Sequence, residues 1–306
     1  MRERLCRAAS FGIMALTFPL AWLPIPIASF IGATGGSLFF WLVKSRRRIA
    51  VDNVRAAIAN GALDSNLNPA AIARRSFANL GRTAMESFRL LHRGFDSLSD
   101  RCEVSGGEEV EELIRRSRQE GRGVVFLTGH IGNWELGPPL MSRKFNIDIS
   151  VVARTQGRLA DYVLGRIRSQ DGNRVILKHE GARVMLKHLR SGGMLGTLFD
   201  QADIAGPGGA KLLFMGKPAL TTLGPLKLAA RTGAGVVPAF SRRQGDRHIL
   251  EIAPVLLPPT DGAREWLAPT AQVLNDLLGD FIRRYPDQWM WGHRRWKLPE
   301  SRPNGS

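Results

Sequence analysis

From Phe11 to Val43 the chain carries no charged residue, while Arg2, Arg4 and Arg7 precede that stretch and Lys44, Arg46, Arg47 and Arg48 close it. Positive flanks around an uncharged run point to a membrane. Pro19, Pro24 and Pro26 interrupt the run, so one straight helix across its whole length is not expected. Two apolar pieces remain, Phe11–Leu23 and Ile27–Val43, the second near the lower limit for a span. They read as a re-entrant hairpin or as a single tilted span with an interfacial lead-in. No small-residue cleavage site is followed by an exported, disulfide-bearing domain, which argues against a cleaved signal peptide.

Beyond the anchor the pattern changes period. Between Pro69 and His92, Ile72, Phe77, Leu80, Met85, Phe88 and Leu91 recur at helical spacing, with Arg74, Arg75, Arg82 and Arg89 interleaved. Such a basic amphipathic helix either lies on an anionic membrane surface or packs on the following domain with its arginines solvated. Glu108–Arg118 reads as a crossover helix before a parallel strand. Val124–Thr128 is a continuous apolar run bounded by glycines, the pattern of a strand buried on both faces. Further strands are expected at Asp148–Ala153, Met194–Phe199, Gly235–Phe240 and His248–Ile252. Helices are expected from Trp134, over Leu159–Arg168, Arg183–Leu189, Leu223–Arg231 and Ala268–Arg284. Strands alternating with helices predict an α/β fold, a mixed sheet flanked by helices and preceded by a hydrophobic membrane anchor. The expected organisation is an anchor over residues 1–48, an α/β domain over 49–300 with an N-terminal helical part, and a disordered tail over 301–306.

In an α/β fold, chemistry gathers at the carboxyl ends of strands. The run after Val124–Thr128 is Gly129-His130-Ile131-Gly132-Asn133-Trp134-Glu135, a sharp polar corner in which Asn133 is a plausible N-cap. With His130 on the turn and Glu135 in the first helical turn, the carboxylate can reach the imidazole, fix its tautomer and make it a general base. The same spacing also suits a surface histidine beside a glutamate that favours a helix dipole. No second His or Cys stands nearby at metal-ligand spacing, so no metal is expected. Two other strands also end in polar groups, Arg154 after the second and Asp200-Gln201 after the third. Arg166 and Arg174 follow on spacing that suggests a solvated face, and the glycines of Ala205–Ala210 match no phosphate-loop pattern and read as a mobile loop.

Charge sharpens the choice of partner. The 306 residues carry a formal net charge of +16, which calls for an anionic surface, either nucleic acid or phosphate-bearing lipid. The uncharged N-terminal run favours lipid. The tail Tyr285–Lys297, with tryptophans among Arg and Lys, suits single-stranded nucleic acid or a membrane interface when taken alone. Cys6 and Cys102 form no motif, and there is no G-x-S-x-G elbow.

His130-Ile-Gly-Asn-Trp-Glu135 resembles the His-x4-Asp/Glu block of the glycerolipid acyltransferase superfamily, and in particular of the bacterial lipid A late acyltransferases. Further blocks fall in the same order. They are L-P-I-P with the basic segment ending in Asn53-Val54-Arg55, Asp200-Gln201, L-L-F-M-G-K-P-A-L-T-T with Met215 where a second Phe is usual, and the terminal W-M-W-G-H-R-R-W-K. The Cys-Phe-Pro that follows the Asn-x-Arg triplet in many members is absent.

The resemblance implies an O-acyltransferase of glycerolipid-acyltransferase-like fold on the cytoplasmic face of a bacterial inner membrane. Its donor would be an acyl-carrier-protein or coenzyme A thioester, the former being usual, and its acceptor an acylated, phosphorylated glucosamine disaccharide. The alternatives are another glycolipid or a lysophospholipid as acceptor and, more remotely, a membrane-tethered nucleic-acid binder. No cofactor is expected; the missing elbow and the absence of a cysteine near His130 argue against a covalent enzyme intermediate, and the uncharged N-terminal run argues against a nucleic-acid partner. The resemblance further implies His130 as base with Glu135, and Arg154, Asn133, Asp200, Gln201, Gly132 and Arg166 around substrate or oxyanion. Either the backbone amides of the corner or Arg154 would supply the oxyanion donors. His293 is expected to be a packed structural histidine.

Overall fold

The computed structural model describes residues 2–177, 181–201, 208–261 and 263–297, of which 2–11, 158, 159 and 263 as backbone alone. The tail expected to be disordered, 301–306, and residues 202–207 of the glycine-rich loop lie outside the described residues.

Three helices open the chain, α1 (Arg2–Ala21), α2 (Ile25–Leu42) and α3 (Lys44–Ala59). The break falls at Trp22–Pro24. Pro19 is absorbed into the last turn of α1, and Pro26 stands in the first turn of α2, where no N–H is needed. The longest helix, α4 (Pro69–Arg93), starts where Asn68 accepts a hydrogen bond from the Ala71 N–H at 3.0 Å. Ile72, Phe77, Met85 and Leu91 of its apolar stripe are buried and Leu80 and Phe88 partly so; Ser76, Asn79, Thr83 and Glu86 are buried too, while Arg74 and Arg75 stay exposed. Of the two readings left open for this helix, packing on the domain is the one realised.

Glycines weld α2 to α4. A Cβ on Gly81 would stand 1.9 Å from the Gly32 carbonyl oxygen, and one on Gly36 would stand 2.0 Å from that of Phe77. The obstacle is backbone in both cases, so it yields only if the helices part. Gly81→Ala is therefore expected to lower stability by about 1–3 kcal/mol. Denaturant unfolding in detergent measures this; a midpoint equal to wild type would mean the two helices are not in contact.

After the short α5 (Asp96–Ser99), the chain alternates: β1 (Cys102–Ser105), α6 (Glu108–Glu120), β2 (Val124–Thr128), α7 (Gly137–Phe145), β3 (Ile149–Ala153), α8 (Arg158–Arg168), β4 (Arg174–Leu177), α9 (Ala182–Arg190) and β5 (Met194–Leu198). A hairpin follows, β6 (Gly209–Phe214) and β7 (Lys217–Thr222), and then α10 (Gly224–Thr232), β8 (Gly235–Gln244), β9 (Arg247–Ile252) and α11 (Ala263–Arg284). Seven strands form one mixed sheet in the order β1-β9-β8-β2-β5-β3-β4, parallel throughout except between β8 and β9.

The central strand β2 is buried on both sides, as its unbroken apolar run requires. Val125 and Leu127 of β2 enter one core with α9, α10 and α11, while Val124 and Phe126 enter another with α6 and α7. The five expected strands are present. Two more, β1 and β4, are four-residue edge strands: β1 has alternate positions exposed, and β4 offers an apolar run of only three residues, Val175-Ile176-Leu177. The L-L-F-M-G-K-P-A-L-T-T block forms most of the β6–β7 hairpin.

Candidate active site

Because β5 lies beside β2, the corner after Thr128 and the polar pair after Phe199 meet at the carboxyl edge of the sheet. The Phe199 N–H donates to the Thr128 carbonyl at 3.1 Å and carries the pairing one step past the strands. Asp200 then faces His130. One carboxylate oxygen accepts from the His130 backbone N–H at 2.8 Å, and the other lies 2.8 Å from ring Nδ1.

Asp200 is 3 % exposed, and burial by itself raises its pKa. The adjoining imidazole, its two bonds and the Trp289 indole N–H at 2.9 Å outweigh that and bring it down to about 2. An ionised Asp200 accepts from Nδ1–H, so the lone pair is on Nε2 at the open side of the ring. Gln201 lies there, its amide nitrogen 3.3 Å from Nε2, and the Trp134 ring meets the imidazole edge-on at 4.9 Å.

The expected contact between Glu135 and His130 is not made. Asn133 caps a tight 3₁₀ turn, Trp134–Leu136, by accepting from the Glu135 N–H at 3.2 Å, and this turns Glu135 inward. There it takes a two-pronged ion pair from Arg168 of α8, at 2.8 and 2.6 Å, and a bond from the Trp134 indole at 3.0 Å. Burial lowers the pKa of the Arg168 guanidinium, and the bonds and charge of Glu135 more than restore it. Sequence reasoning passed over Arg168 and singled out Arg166, which is exposed and donates to the Tyr162 hydroxyl at 3.4 Å.

Asn133 and Gly132 also differ from expectation. Asn133 is fully buried, its amide donating to Glu86 at 2.8 Å, and so cannot touch substrate. Gly132 has φ +61°, and a Cβ there would lie 2.2 Å from the Ser241 carbonyl oxygen. Its own N–H donates to Gln288 and its carbonyl accepts from Asn79 and Thr83. The N–H groups of His130, Ile131 and Gly132 are all bonded within the protein, which corrects the expectation that they face an oxyanion.

Beneath the corner, Glu86 binds Arg243, His248 and Asn133. Burial raises its pKa, but the charges and bonds of Arg243 and His248 carry it well below the ordinary range. A depressed carboxylate contributes stability that is complete above its unfolded pKa, about 4.3, and is lost as pH falls through its folded value. Arg243→Ala strands this carboxylate. It is expected to cost about 3–5 kcal/mol near neutral pH and less as the solution is acidified and Glu86 protonates. Denaturant unfolding at neutral and at mildly acidic pH checks both halves.

Arg154 follows β3 on the same edge, exposed, and its charge acts on His293, as do those of Asp200, His130 and Arg46. The tail runs back along the corner, with the Met290 N–H donating to the His130 carbonyl at 3.0 Å and Ile131 bridging Trp289. Trp289, Trp291 and Trp296 are buried core residues, and Arg295 lies fully buried over the Phe214 ring at 4.7 Å. The tryptophans are therefore turned away from any stacking or interfacial role. His293 is half-buried, and burial lowers its pKa; its Nδ1 has no hydrogen-bond partner among the described residues. Trp134, whose ring meets the imidazole, also lines an apolar cavity with Phe126, Met141, Val151, Gly196 and Ala239.

The chain matches a family model described as bacterial lipid A biosynthesis acyltransferase over residues 3–298. It is 27 % identical over 293 residues to the lipid A biosynthesis lauroyltransferase of Escherichia coli K12, covering 92 % of this chain and 88 % of that one. With the lipid A biosynthesis palmitoleoyltransferase of the same organism it shares 23 % over 295 residues, with the same coverage. A phosphatidylinositol mannoside acyltransferase of Mycobacterium tuberculosis H37Rv is 26 % identical over 241 residues, 74 % of this chain and 71 % of that one.

Proposed function

The chain belongs to the bacterial lipid A biosynthesis acyltransferase family, and from that premise we propose how it works. It moves a fatty acyl group from an acyl-carrier-protein thioester to a hydroxyl of an acylated, phosphorylated glucosamine disaccharide, on the cytoplasmic face of the inner membrane. The observation that carries the reading is a histidine oriented by a buried carboxylate and packed against Trp134, which lines an apolar cavity. His130 Nε2 takes the hydroxyl proton as the oxygen attacks the thioester carbonyl. The tetrahedral intermediate collapses to an ester and a thiolate, and the imidazolium returns its proton to sulfur. Asp200 orients the ring and stabilises its cationic form.

In this reading Gln201, whose amide lies beside the imidazole, and Arg154, which follows β3 on the same sheet edge, donate to the developing oxyanion or to an acceptor phosphate. The apolar cavity takes the start of the acyl chain. Glu135 acts through position, locking the corner to α8 by way of Arg168. A +16 chain suits both an acidic carrier protein and a phosphorylated acceptor.

The test is to incubate the purified protein in detergent with a labelled acyl-carrier-protein thioester and bacterial lipids, and to find the label by mass spectrometry. Label in a phosphorylated glucosamine lipid is expected. Label in a mannosylated phosphoinositide or a lysophospholipid would keep the chemistry and change the acceptor. No transfer from carrier-protein or coenzyme A thioesters would overturn the proposal.

A further inference from the structure

The outer face of α1 and α2 has no protein cover among the described residues. Leu16, Phe18, Phe30, Leu38, Trp41 and Leu42 are all more than half exposed. The inner face of α2 is a stripe at four-residue spacing, Gly32, Gly36 and Phe40, and it is buried. Through the two glycines this stripe lies backbone to backbone on α4. That helix carries the partly buried Arg82, the buried Glu86, and Asn79 and Thr83, which bind the active-site corner. An α2 that crossed a bilayer in this packing would draw α4 and those charges into hydrocarbon beside it, at a cost of several kcal/mol for each charge at mid-depth.

The ends of the apolar face are marked alike. Arg93 lies over the Trp22 ring at 4.5 Å, at the turn between α1 and α2, and Arg47 over the Trp41 ring at 5.4 Å, where α2 ends. Trp and Arg settle at headgroup level, and basic side chains there favour anionic lipid. The second of these ends adjoins the active site. Arg46 donates to the Gly292 carbonyl at 3.3 Å, and the Asn53 amide to those of Trp291 and His293 at 2.8 and 2.7 Å, in the tail that also binds His130.

We infer that α1 and α2 lie in the plane of the membrane with their outer face in the hydrocarbon of a single anionic leaflet, and that α2 does not cross the bilayer. That leaflet is also the one that presents the lipid acceptor to His130, a consequence that rests on the proposed function. The topology does not depend on it.

Sidedness of labelling tests the topology in the full-length chain expressed in a Gram-negative host. In a Cys6→Ser background, Pro24→Cys and Ser45→Cys place a thiol at either end of α2, both at exposed positions, and Glu120→Cys marks the catalytic domain. Cys102 remains silent, since burial pushes its thiol up to about 12. The three variants are exposed to a membrane-impermeant maleimide, in inverted inner-membrane vesicles and in spheroplasts.

All three are expected to label from the face that holds Glu120→Cys, with labelling lost from the other face. Pro24→Cys labelling from the opposite face would overturn the inference and make α2 a span. Release of the protein from membranes by alkaline carbonate as a dimer would also overturn it, with a second copy as the cover. Acyl transfer measured in the same vesicles separates the two claims. One-sided labelling without transfer keeps the topology and sinks the proposed function, and two-sided labelling with transfer does the reverse.

Discussion

Asp200→Asn is expected to lower kcat by about 10³–10⁴-fold in a chain that still folds. Asparagine keeps the shape of the side chain, and its oxygen can still accept from the His130 N–H and the Trp289 indole. Its other arm offers an amide N–H to ring Nδ1, where the aspartate offers an acceptor. The imidazole then places its proton on Nε2, and the lone pair that would receive the hydroxyl proton is lost. His130→Ala removes the base itself and should match or exceed that loss. Single-turnover transfer measures both, with thermal unfolding as the control for folding. Binding of the donor thioester should change little, because Asp200 is sealed behind the ring.

The second large effect is expected at Glu135, for a different reason. Glu135→Ala leaves Arg168, whose side chain is 10 % exposed, without its counter-ion. Stranding a buried charge costs about 3–5 kcal/mol. The corner that carries His130 is held partly through this pair, so it should shift, and a displacement of about 1 Å is enough to cost about 10²-fold in rate. Glu135→Leu combined with Arg168→Met removes both charges and should recover much of the stability. A double-mutant cycle on unfolding free energy then reports the coupling. Additive effects would mean the ion pair does not hold the corner.

Much of this protein could be read before its structure. The unbroken apolar run of β2 announces a strand buried on both faces, and the polar residues that follow β2, β3 and β5 mark the sheet edge where the site lies. His130 and Asp200 were both visible as strand-end residues. Their partnership was not, because it depends on β5 lying next to β2, and strand order is not written in hydrophobic periodicity.

Local spacing proposed Glu135 for the same task, and there it misled. Asn133 starts a 3₁₀ turn and uses its own side chain to do so, which directs the glutamate inward to α8. Arg166 and Arg168 show the same limit on a helix. Two residues turn a side chain by about 200°, so one arginine meets solvent and the other meets Glu135. The tail tryptophans looked interfacial by composition, yet all three are part of the core.

The most direct test of the central claim sets Asp200→Asn and Glu135→Gln beside wild type in single-turnover transfer from a labelled acyl-carrier-protein thioester to a phosphorylated glucosamine disaccharide lipid. Thermal unfolding is recorded for each protein. A base oriented by Asp200 predicts wild-type transfer, near-wild-type unfolding with a rate loss of about 10³-fold or more for Asp200→Asn, and for Glu135→Gln a smaller rate loss that tracks its loss of stability. Asp200→Asn turning over within tenfold of wild type, with Glu135→Gln inactive at unchanged stability, would contradict the account and return the imidazole's partnership to Glu135.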